Sequence, residues 1–381
     1  MRVAILQRVC TSYRVPLFQQ LSDDPEIEFK LFIGANVPDS KVKNASDLSG
    51  INFIKLKSFF VKLRGHYFPI HTNLIKELKR YQPEVIICEG ESNFFGYLQA
   101  IIFKILFKRN TKLIHWCFIA LPGEDVSKKQ IIASVKSFFR NFFSGFLLYS
   151  SYSKMRLLQI GGVPEEKMFV ATNVGNTEKL IKAYRECSFS KSESRRQLGL
   201  CDQFTILYLG TLDRNKRPEL LLELPRSYDC LRKYNFVVAG EGPMFSYLES
   251  EKKRWELDNV YLVGKITSEI FSYLNAADVL IIPGRGGIVI SEALAFGVPV
   301  IVHQADGTEY DLIKPGETGI ILGNGAIEDF KNAILSFSNL PIEKLEQIKI
   351  LCHQTVLSEF NSQNMVNQIK IAVNTVHSIK M

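Results

Sequence analysis

The stretch ADVLIIPGRGGIVISEALAFGVPV, Ala277 to Val300, decides how this chain folds. Its apolar run VLII has strand length and carries no polar alternation, which suits a strand covered on both faces. Pro283, three glycines and Arg285 interrupt that run before Ile288 opens a helical pattern, which ends with Gly297 as C-cap and Pro299 beyond it. A strand, a glycine loop and a helix start gather unpaired N–H groups at the positive end of a helix dipole. That combination predicts an anion site.

Working outward, the same alternation recurs along the chain. RVAILQ, FKLFIG, PEVIICEG and TKLIHWCF in the first half, then FTILYLG, NFVVAGEG, NVYLVG, DVLIIPG and PVIVH in the second, are each followed by a helical pattern. Alternating strand and helix predicts an α/β fold with parallel sheets, and 381 residues are too many for one ordinary core. The pattern resets at CSFSKSESRRQLGLCDQ, a polar, serine-rich stretch read as lying near a linker. The expected organisation is two Rossmann-like doubly wound domains, residues 1–185 and 186–358, with a helix over 359–381 crossing back to the first.

Charge is unevenly spread. Residues 1–189 hold 27 Lys and Arg against 16 Asp and Glu, whereas the remainder holds 20 against 23. An excess of basic charge in one half suits an anionic partner such as phospholipid headgroups, a pyrophosphate-linked acceptor or nucleic acid, and equally a solvated surface. Nucleic acid is set aside because no basic stripe interleaved with aromatics stands on a recognisable module. Seven scattered cysteines, without a CxxC pair or zinc spacing, imply neither a disulfide frame nor a structural metal and fit a reducing cytosol. No signal peptide or membrane span is expected. In VSKKQIIASVKSFFRNFF, Ile131, Ile132, Val135, Phe138, Phe139, Phe142 and Phe143 share one helical face opposite Lys128, Lys129, Lys136 and Arg140. Such a helix either covers a core or lies in a membrane interface, and the basic half around it favours the interface.

Three strand ends in the second half run into glycine turns: LGTLDRNKRP, AGEGP and PGRGG. In a parallel sheet all three emerge at the carboxyl edge, where open α/β folds bind ligands. Gly210 allows a close turn, and Lys216 and Arg217 stand just before a helix whose first turn takes Pro218. A cation beside a helix N-terminus is what a diphosphate requires. Gly240, in AGEGP, mainly shapes the sheet edge. Glu292 is either a dipole partner of its own helix or an acceptor for two vicinal hydroxyls, for which a ribose is the obvious owner.

The ordered set GTLDRNK, AGEGP, NVYLVG, ADVLIIPG and SEALAFGVPV resembles the donor half of retaining nucleotide-sugar glycosyltransferases of family 4, which have the GT-B fold. VPEEKMFVATNVGNT is similar to that family's strand and Pro-Asn-Gly-Val-Asp turn, with Asn173 and Asn176 in the Asn and Asp places. The resemblance implies two Rossmann-like domains facing a cleft, with a nucleotide sugar held mainly by the second and an acceptor by the first. Carried over, it gives Lys216 the donor diphosphate and Glu292 the ribose, as the second glutamate of E-x7-E, while Gly286, Gly287 and Ile288 supply backbone to sugar and phosphate. Two positions depart from it. The first glutamate of E-x7-E falls on Gly284, and the arginine of the usual Gly-Arg-Leu falls on Thr211; Arg285, Arg217 or Arg214 is expected to compensate, with Arg285 first because it lies inside the loop.

The first half matches more loosely. Arg8, Tyr13 and Arg14, in LQRVCTSYRVPLF, are candidates for the diphosphate or an anionic acceptor, and equally for a surface role. His115 occupies roughly the place of the family's active-site histidine, which contacts the donor sugar, though a histidine there is as often a core residue. Glu89 and Glu91 are candidates to orient or deprotonate an acceptor hydroxyl. The function implied is transfer of a sugar from a UDP- or GDP-sugar to a hydroxyl of a glycan or polyprenyl-diphosphate-linked acceptor. It is retaining and metal-independent, needs no cofactor, runs at the inner face of the cell membrane, and serves bacterial surface polysaccharide such as lipopolysaccharide or capsule. Alternatives are a sugar-nucleotide epimerase of the same fold and a catalytically degenerate subunit of a polysaccharide assembly complex.

Overall fold

The computed structural model describes residues 1–40, 42–63, 65–90, 93–124, 140–266 and 269–378. They form two compact units: residues 1–120 and 124–172 with the terminal stretch from Ser362, and residues 121–123 with 173–361.

In the first unit β1 (Arg2–Gln7), β2 (Glu28–Ile33) and β3 (Phe53–Lys55) precede a hairpin of β4 (Ser58–Leu63) and β5 (His66–His71). Then come β6 (Val85–Glu89), β7 (Lys112–Cys117), β8 (Gly145–Leu148) and β9 (Met168–Val170). Seven of these make one parallel sheet in the order β3-β2-β1-β6-β7-β8-β9, while β4 and β5 pair antiparallel with each other. Val3, Ala4, Ile5 and Leu6 of β1 are all buried, as are Val85 to Cys88 of β6, as continuous apolar runs require when helices cover both faces. The chain winds outward from β1 and then restarts on its other side with β6, so the strand order reverses between these two.

The terminal helix Ser362–Ser378 buries Val366, Ile369, Val373 and Val376 at helical spacing. It packs on the helix Val15–Ser22 and on β7 to β9, and Lys370 pairs with Asp24 at 2.8 Å. The C-terminal end of the described chain is therefore part of the first unit's core.

The second unit holds β10 (Thr205–Leu209), β11 (Asn235–Ala239), β12 (Val260–Gly264), β13 (Val279–Ile282), β14 (Val300–Val302) and β15 (Gly319–Ile321). Their order, β12-β11-β10-β13-β14-β15 with every pair parallel, is that of a doubly wound dinucleotide-type sheet, whose order reverses between β10 and β13. All nine apolar runs read from the sequence are strands. The strands outside those runs are short or peripheral: β3, β9 and β15 have three residues each and β8 four, and the hairpin pairs off the main sheet.

The second unit begins at Asn173, ahead of the polar stretch expected to mark the linker. The helix Thr177–Glu186 buries Leu180 and Ile181 and packs on the helices Ile270–Ala276 and Ile288–Ala295, which ties it to the second sheet. The polar stretch is itself ordered. Ser190 and Glu193 form a reciprocal capping box at the start of the helix Lys191–Gln197. That helix is fastened by Asp278, whose carboxylate takes Lys191 Nζ and the Thr205 N–H, both at 2.8 Å, and the Arg195 guanidinium.

Candidate functional site

The strands β10 and β13 are neighbours at the reversal of the second sheet, so the turns that follow them, 210–217 and 283–287, leave its carboxyl edge side by side. Backbone bonds lock these turns and the β11 turn together. The Gly210 N–H donates to Ala239 O at 3.0 Å, Leu212 N–H to Glu241 O at 3.0 Å and Arg285 N–H to Asn215 O at 3.0 Å. Such contact needs residues without side chains. A β-carbon on Gly240 would lie 1.8 Å from Gly210 O, and one on Gly284 2.3 Å from Asn215 O.

Lys216 ends a short turn of helix, Arg214–Lys216, which Asp213 caps by accepting the Asn215 N–H at 3.0 Å. Its ammonium reaches back over the glycines: a β-carbon on Gly210 or Gly286 would come 3.4 or 3.2 Å from Nζ. Burial lowers the Lys216 pKa from its ordinary value, opposed by the charges of Asp213 and Asp306. The neighbouring basic residue is spent differently. Arg217, with φ at 52°, donates from Nη2 to Gly325 O at 3.0 Å and braces the loop beyond β15. Thr211 contributes its carbonyl to the Tyr208 hydroxyl at 2.9 Å, and the Arg285 side chain is exposed.

The helix Ile288–Ala295 starts directly after Gly287 and stops in a Schellman turn, with Gly297 N–H bonded to Leu294 O and Val298 N–H to Ala293 O, each at 2.9 Å. Glu292 lies on the side of this helix that faces Gly175, where a β-carbon would approach its Oε1 to 2.8 Å. Protein crowds the Glu292 carboxyl, and burial pushes its pKa up to about 7, against an ordinary 4.5. The turn 173–176 is docked on the same helix, since Ser291 Oγ accepts the Gly175 N–H at 2.9 Å. Asn176 caps the next helix through the Lys179 N–H, and Asn173 is buried, its Oδ1 without a hydrogen-bond partner among the described residues.

One element of this edge escaped the sequence reading, which stopped at the strand in PVIVH. The following loop, Gln304 to Thr308, brings Asp306 against Gly287, where a β-carbon would lie 2.1 Å from Asp306 Oδ1. Asp306 feels the Lys216 charge, and burial raises its pKa. Glu309, fully buried, grips the loop by accepting the N–H groups of Ala305 at 3.0 Å, Asp306 at 3.2 Å and Gly307 at 2.7 Å. The signal available was the run D-G-T-E four residues after the end of a strand.

The first unit gathers fewer of the expected residues. Arg8 follows β1 and Glu89 ends β6, at the reversal of that sheet, and the Arg8 N–H donates to the Glu89 carboxylate. Two expectations are revised. Arg14 does not present its charge to a ligand: it is buried over the rings of Trp116 at 4.7 Å and Tyr149 at 5.4 Å, with its Nη1 3.4 Å from the Met365 sulfur. Tyr13 packs beside it, with the Arg14 guanidinium 5.4 Å from the ring centre. His115 lies inside β7 rather than at its end, stacked on Phe143 at 4.9 Å with Tyr97 and Phe146 around it, so its ring is part of an aromatic core. Glu91 and most of the amphipathic helix, 125–139, lie outside the described residues. Among the described residues no helix is long and apolar enough to cross a membrane, and no three His, Cys, Asp or Glu residues stand together as metal ligands.

Comparison with known proteins finds similarity over spans that include this edge. Residues 190–350 match the family model described as Glycosyl transferases group 1. The chain is similar to the Alpha-D-kanosaminyltransferase of Streptomyces kanamyceticus, at 31% identity over 35% of this chain and 36% of that protein. It is also similar to a Campylobacter jejuni enzyme, GalNAc-alpha-(1->4)-GalNAc-alpha-(1->3)-diNAcBac-PP-undecaprenol alpha-1,4-N-acetyl-D-galactosaminyltransferase, at 25% identity over 49% of this chain and 52% of that protein. The chain thus spans a third to about half of the length of these relatives. Its fold is that of a crystal structure of Anabaena HepE in complex with UDP and glucose, with a TM-score of 0.73 at 17% identity over 98% of this chain and 99% of that one.

Proposed function

We propose that this chain is a glycosyltransferase that moves a sugar from UDP or GDP to a hydroxyl of a glycan or lipid-linked glycan, retaining the anomeric configuration and using no metal ion. One observation carries the reading. At the reversal between β10 and β13, the half-buried Lys216 ammonium, the backbone that opens the helix Ile288–Ala295 and the crowded Glu292 carboxyl meet on one edge. The family match over residues 190–350 covers all three.

In this reading Lys216 and the amides of Gly286 to Ile288 take the diphosphate, and Glu292 accepts the ribose hydroxyls. The bond from the anomeric carbon to the phosphate oxygen breaks while that carbon bonds to the acceptor oxygen on the same face. The acceptor's proton passes to the departing phosphate oxygen. Charge grows on the diphosphate during this step, so preorganised cations and N–H groups stabilise the transition state more than the ground state. They can supply the neutralisation that a divalent ion would otherwise give, which supports metal independence.

The acceptor belongs in this reading to the first unit. Its helix Phe94–Leu106 exposes Ile102, Ile105 and Leu106, followed by the exposed Phe107. Lys79 lies 4.4 Å from the Phe107 ring centre, and Lys104, Lys108 and Arg109 stand in the same segment. Apolar side chains ringed by cations suit an anionic membrane surface, where a polyprenyl-linked acceptor resides. The Campylobacter jejuni relative, whose name puts its substrate on PP-undecaprenol, supports the same choice. Synthesis of a bacterial surface polysaccharide at the inner membrane face follows from it.

The test is a thermal-shift panel of UDP, GDP, dTDP and ADP with their sugars, on the wild type and on Lys216→Ala. Stabilisation by one nucleotide, lost in the variant, supports the reading. Product analysis by NMR, with and without a chelator, then reads the anomeric configuration and the metal requirement. No stabilisation by any nucleotide overturns the reading in favour of a degenerate subunit.

A further inference from the structure

Asp306 stands where an acid is costly, part-buried beside a helix start and next to loops that the proposed function gives to a diphosphate. An anion there repels a phosphate, so a carboxylate kept at that place calls for a partner of another kind. Its geometry is tightly specified. Glu309 holds the loop backbone at residues 305–307 through three N–H bonds. Thr308 fixes the carboxylate itself, donating its hydroxyl to Oδ1 at 2.6 Å and its N–H to the same oxygen at 3.2 Å. Both bonds end on Oδ1 and the Gly287 N–H adds a third donor, while a carboxylate offers about four lone-pair sites, so one more donor can be accepted. Thr308 and Glu309 are themselves fully buried, so the arrangement is preorganised.

Its neighbours define what that donor is. Gly287 presses on Oδ1 from one side, and the Lys216 ammonium, which overlies Gly286, attracts the carboxylate from the other. The next group along a nucleoside diphosphate held by Lys216 is the transferred sugar, which is rich in hydroxyl donors. No carboxylate is available from the position eight residues before Glu292, because Gly284 has no room for a side chain beside Asn215. We propose that Asp306 reads the donor sugar, accepting hydrogen bonds from its hydroxyl groups, and so sets which nucleotide sugar is used. The inference rests on the proposed function and assigns the sugar end of the same site. A carboxylate accepts only, so the group it reads carries a proton to donate.

The experiment compares a nucleoside diphosphate with its sugar conjugate on wild type, Asp306→Asn and Thr308→Val, by calorimetry and by steady-state transfer or donor hydrolysis. Asp306→Asn is expected to bind the bare diphosphate as well as wild type or more tightly, while its affinity for the sugar nucleotide and its kcat/KM fall about 10- to 100-fold, the loss typical of a hydrogen bond to a charged group. Thr308→Val, which removes the hydroxyl bond to Oδ1 without removing the charge, is expected to show the same split to a smaller degree, and serves if Asp306→Asn does not fold. An equal loss for both ligands marks a structural role and overturns the inference, and so does an equal gain, which marks a competing anion. Neither result touches nucleotide binding by the wild type, so the proposed function survives both. A wild type that binds no nucleotide instead sinks the proposed function itself, and this inference with it.

Discussion

Gly284 and Asn215 are in contact through their backbones: the neighbouring Arg285 N–H bonds the Asn215 carbonyl at 3.0 Å, and a β-carbon on Gly284 would lie 2.3 Å from that oxygen. The absence of the first acid of E-x7-E is therefore built into this loop packing. Restoring it by Gly284→Glu is expected to remove nucleotide binding and destabilise the protein by about 2 kcal/mol or more, as overpacking against backbone does. Gly284→Ala should show most of the same loss. A denaturant melt decides: if Gly284→Glu is as stable as wild type and gains activity, the packing argument fails.

Lys216→Ala removes an ammonium that overlies both Gly210 and Gly286. Nucleotide affinity should fall about 10- to 100-fold, the usual loss for a charge-assisted bond, with the melting temperature of the free protein unchanged or raised because a part-buried charge is gone. Calorimetry with the nucleotide found active in the panel measures it. Equal affinity in the two proteins would move the diphosphate elsewhere.

Under the proposed function, Glu292 is expected to make nucleotide binding and stability pH-dependent in opposite senses. Its folded pKa of about 7 lies above the ordinary 4.5, so the folded state holds this proton more tightly than the unfolded state. Its contribution is present in full below about 4.5 and is lost as pH rises to about 7, a swing of about 3 kcal/mol. Ribose hydroxyls need the ionised form, so nucleotide affinity should rise between pH 6 and pH 8, roughly across that titration. Glu292→Gln should flatten both profiles, and profiles that keep their slopes in the variant would assign the titration to another group.

Asp278 gathers the Arg195 guanidinium, the Lys191 ammonium and the Thr205 N–H in a buried cluster. Asp278→Ala leaves Arg195 buried and unpaired and should cost about 3 kcal/mol or more. Loss of less than about 1 kcal/mol in an equilibrium melt would mean that the helix Lys191–Gln197 is held by its apolar contacts instead.

Leu106→Glu, placed among the exposed Ile102, Ile105 and Phe107, should weaken co-sedimentation with vesicles rich in phosphatidylglycerol by about tenfold, the worth of burying one leucine. Catalysis of a soluble acceptor should be unchanged. Equal sedimentation of wild type with neutral and anionic vesicles would remove the electrostatic part of the argument.

Much of the candidate edge was legible because its determinants are local. An apolar run of four to six residues, a glycine turn and a helix start are contiguous in sequence, and three such units repeat with the right order of glycines. What the sequence left open depends on partners far along the chain. In sequence Arg14 suits an anionic ligand or the surface, and His115 a donor sugar or the core; the structure puts Arg14 over Trp116 and Tyr149 beside Met365, and stacks Phe143 on the His115 ring. The polar stretch around Ser190 looks like a linker because its anchor, Asp278, lies in another strand's approach.

The sequence by itself determined that this chain makes parallel sheets with glycine turns at the carboxyl edge of the second, since strand length, lack of alternation and breaker residues are properties of short windows. It also placed Lys216 and Glu292 at that edge. Only the tertiary structure decided that Gly284 admits no side chain, that Arg217 is occupied by Gly325, and that Asp306 joins Lys216 beside Gly287. Those outcomes depend on which strands are neighbours: β10, β13 and β14 are separated by tens of residues, and their turns touch only once the strand order 1-4-5 of a doubly wound sheet has formed.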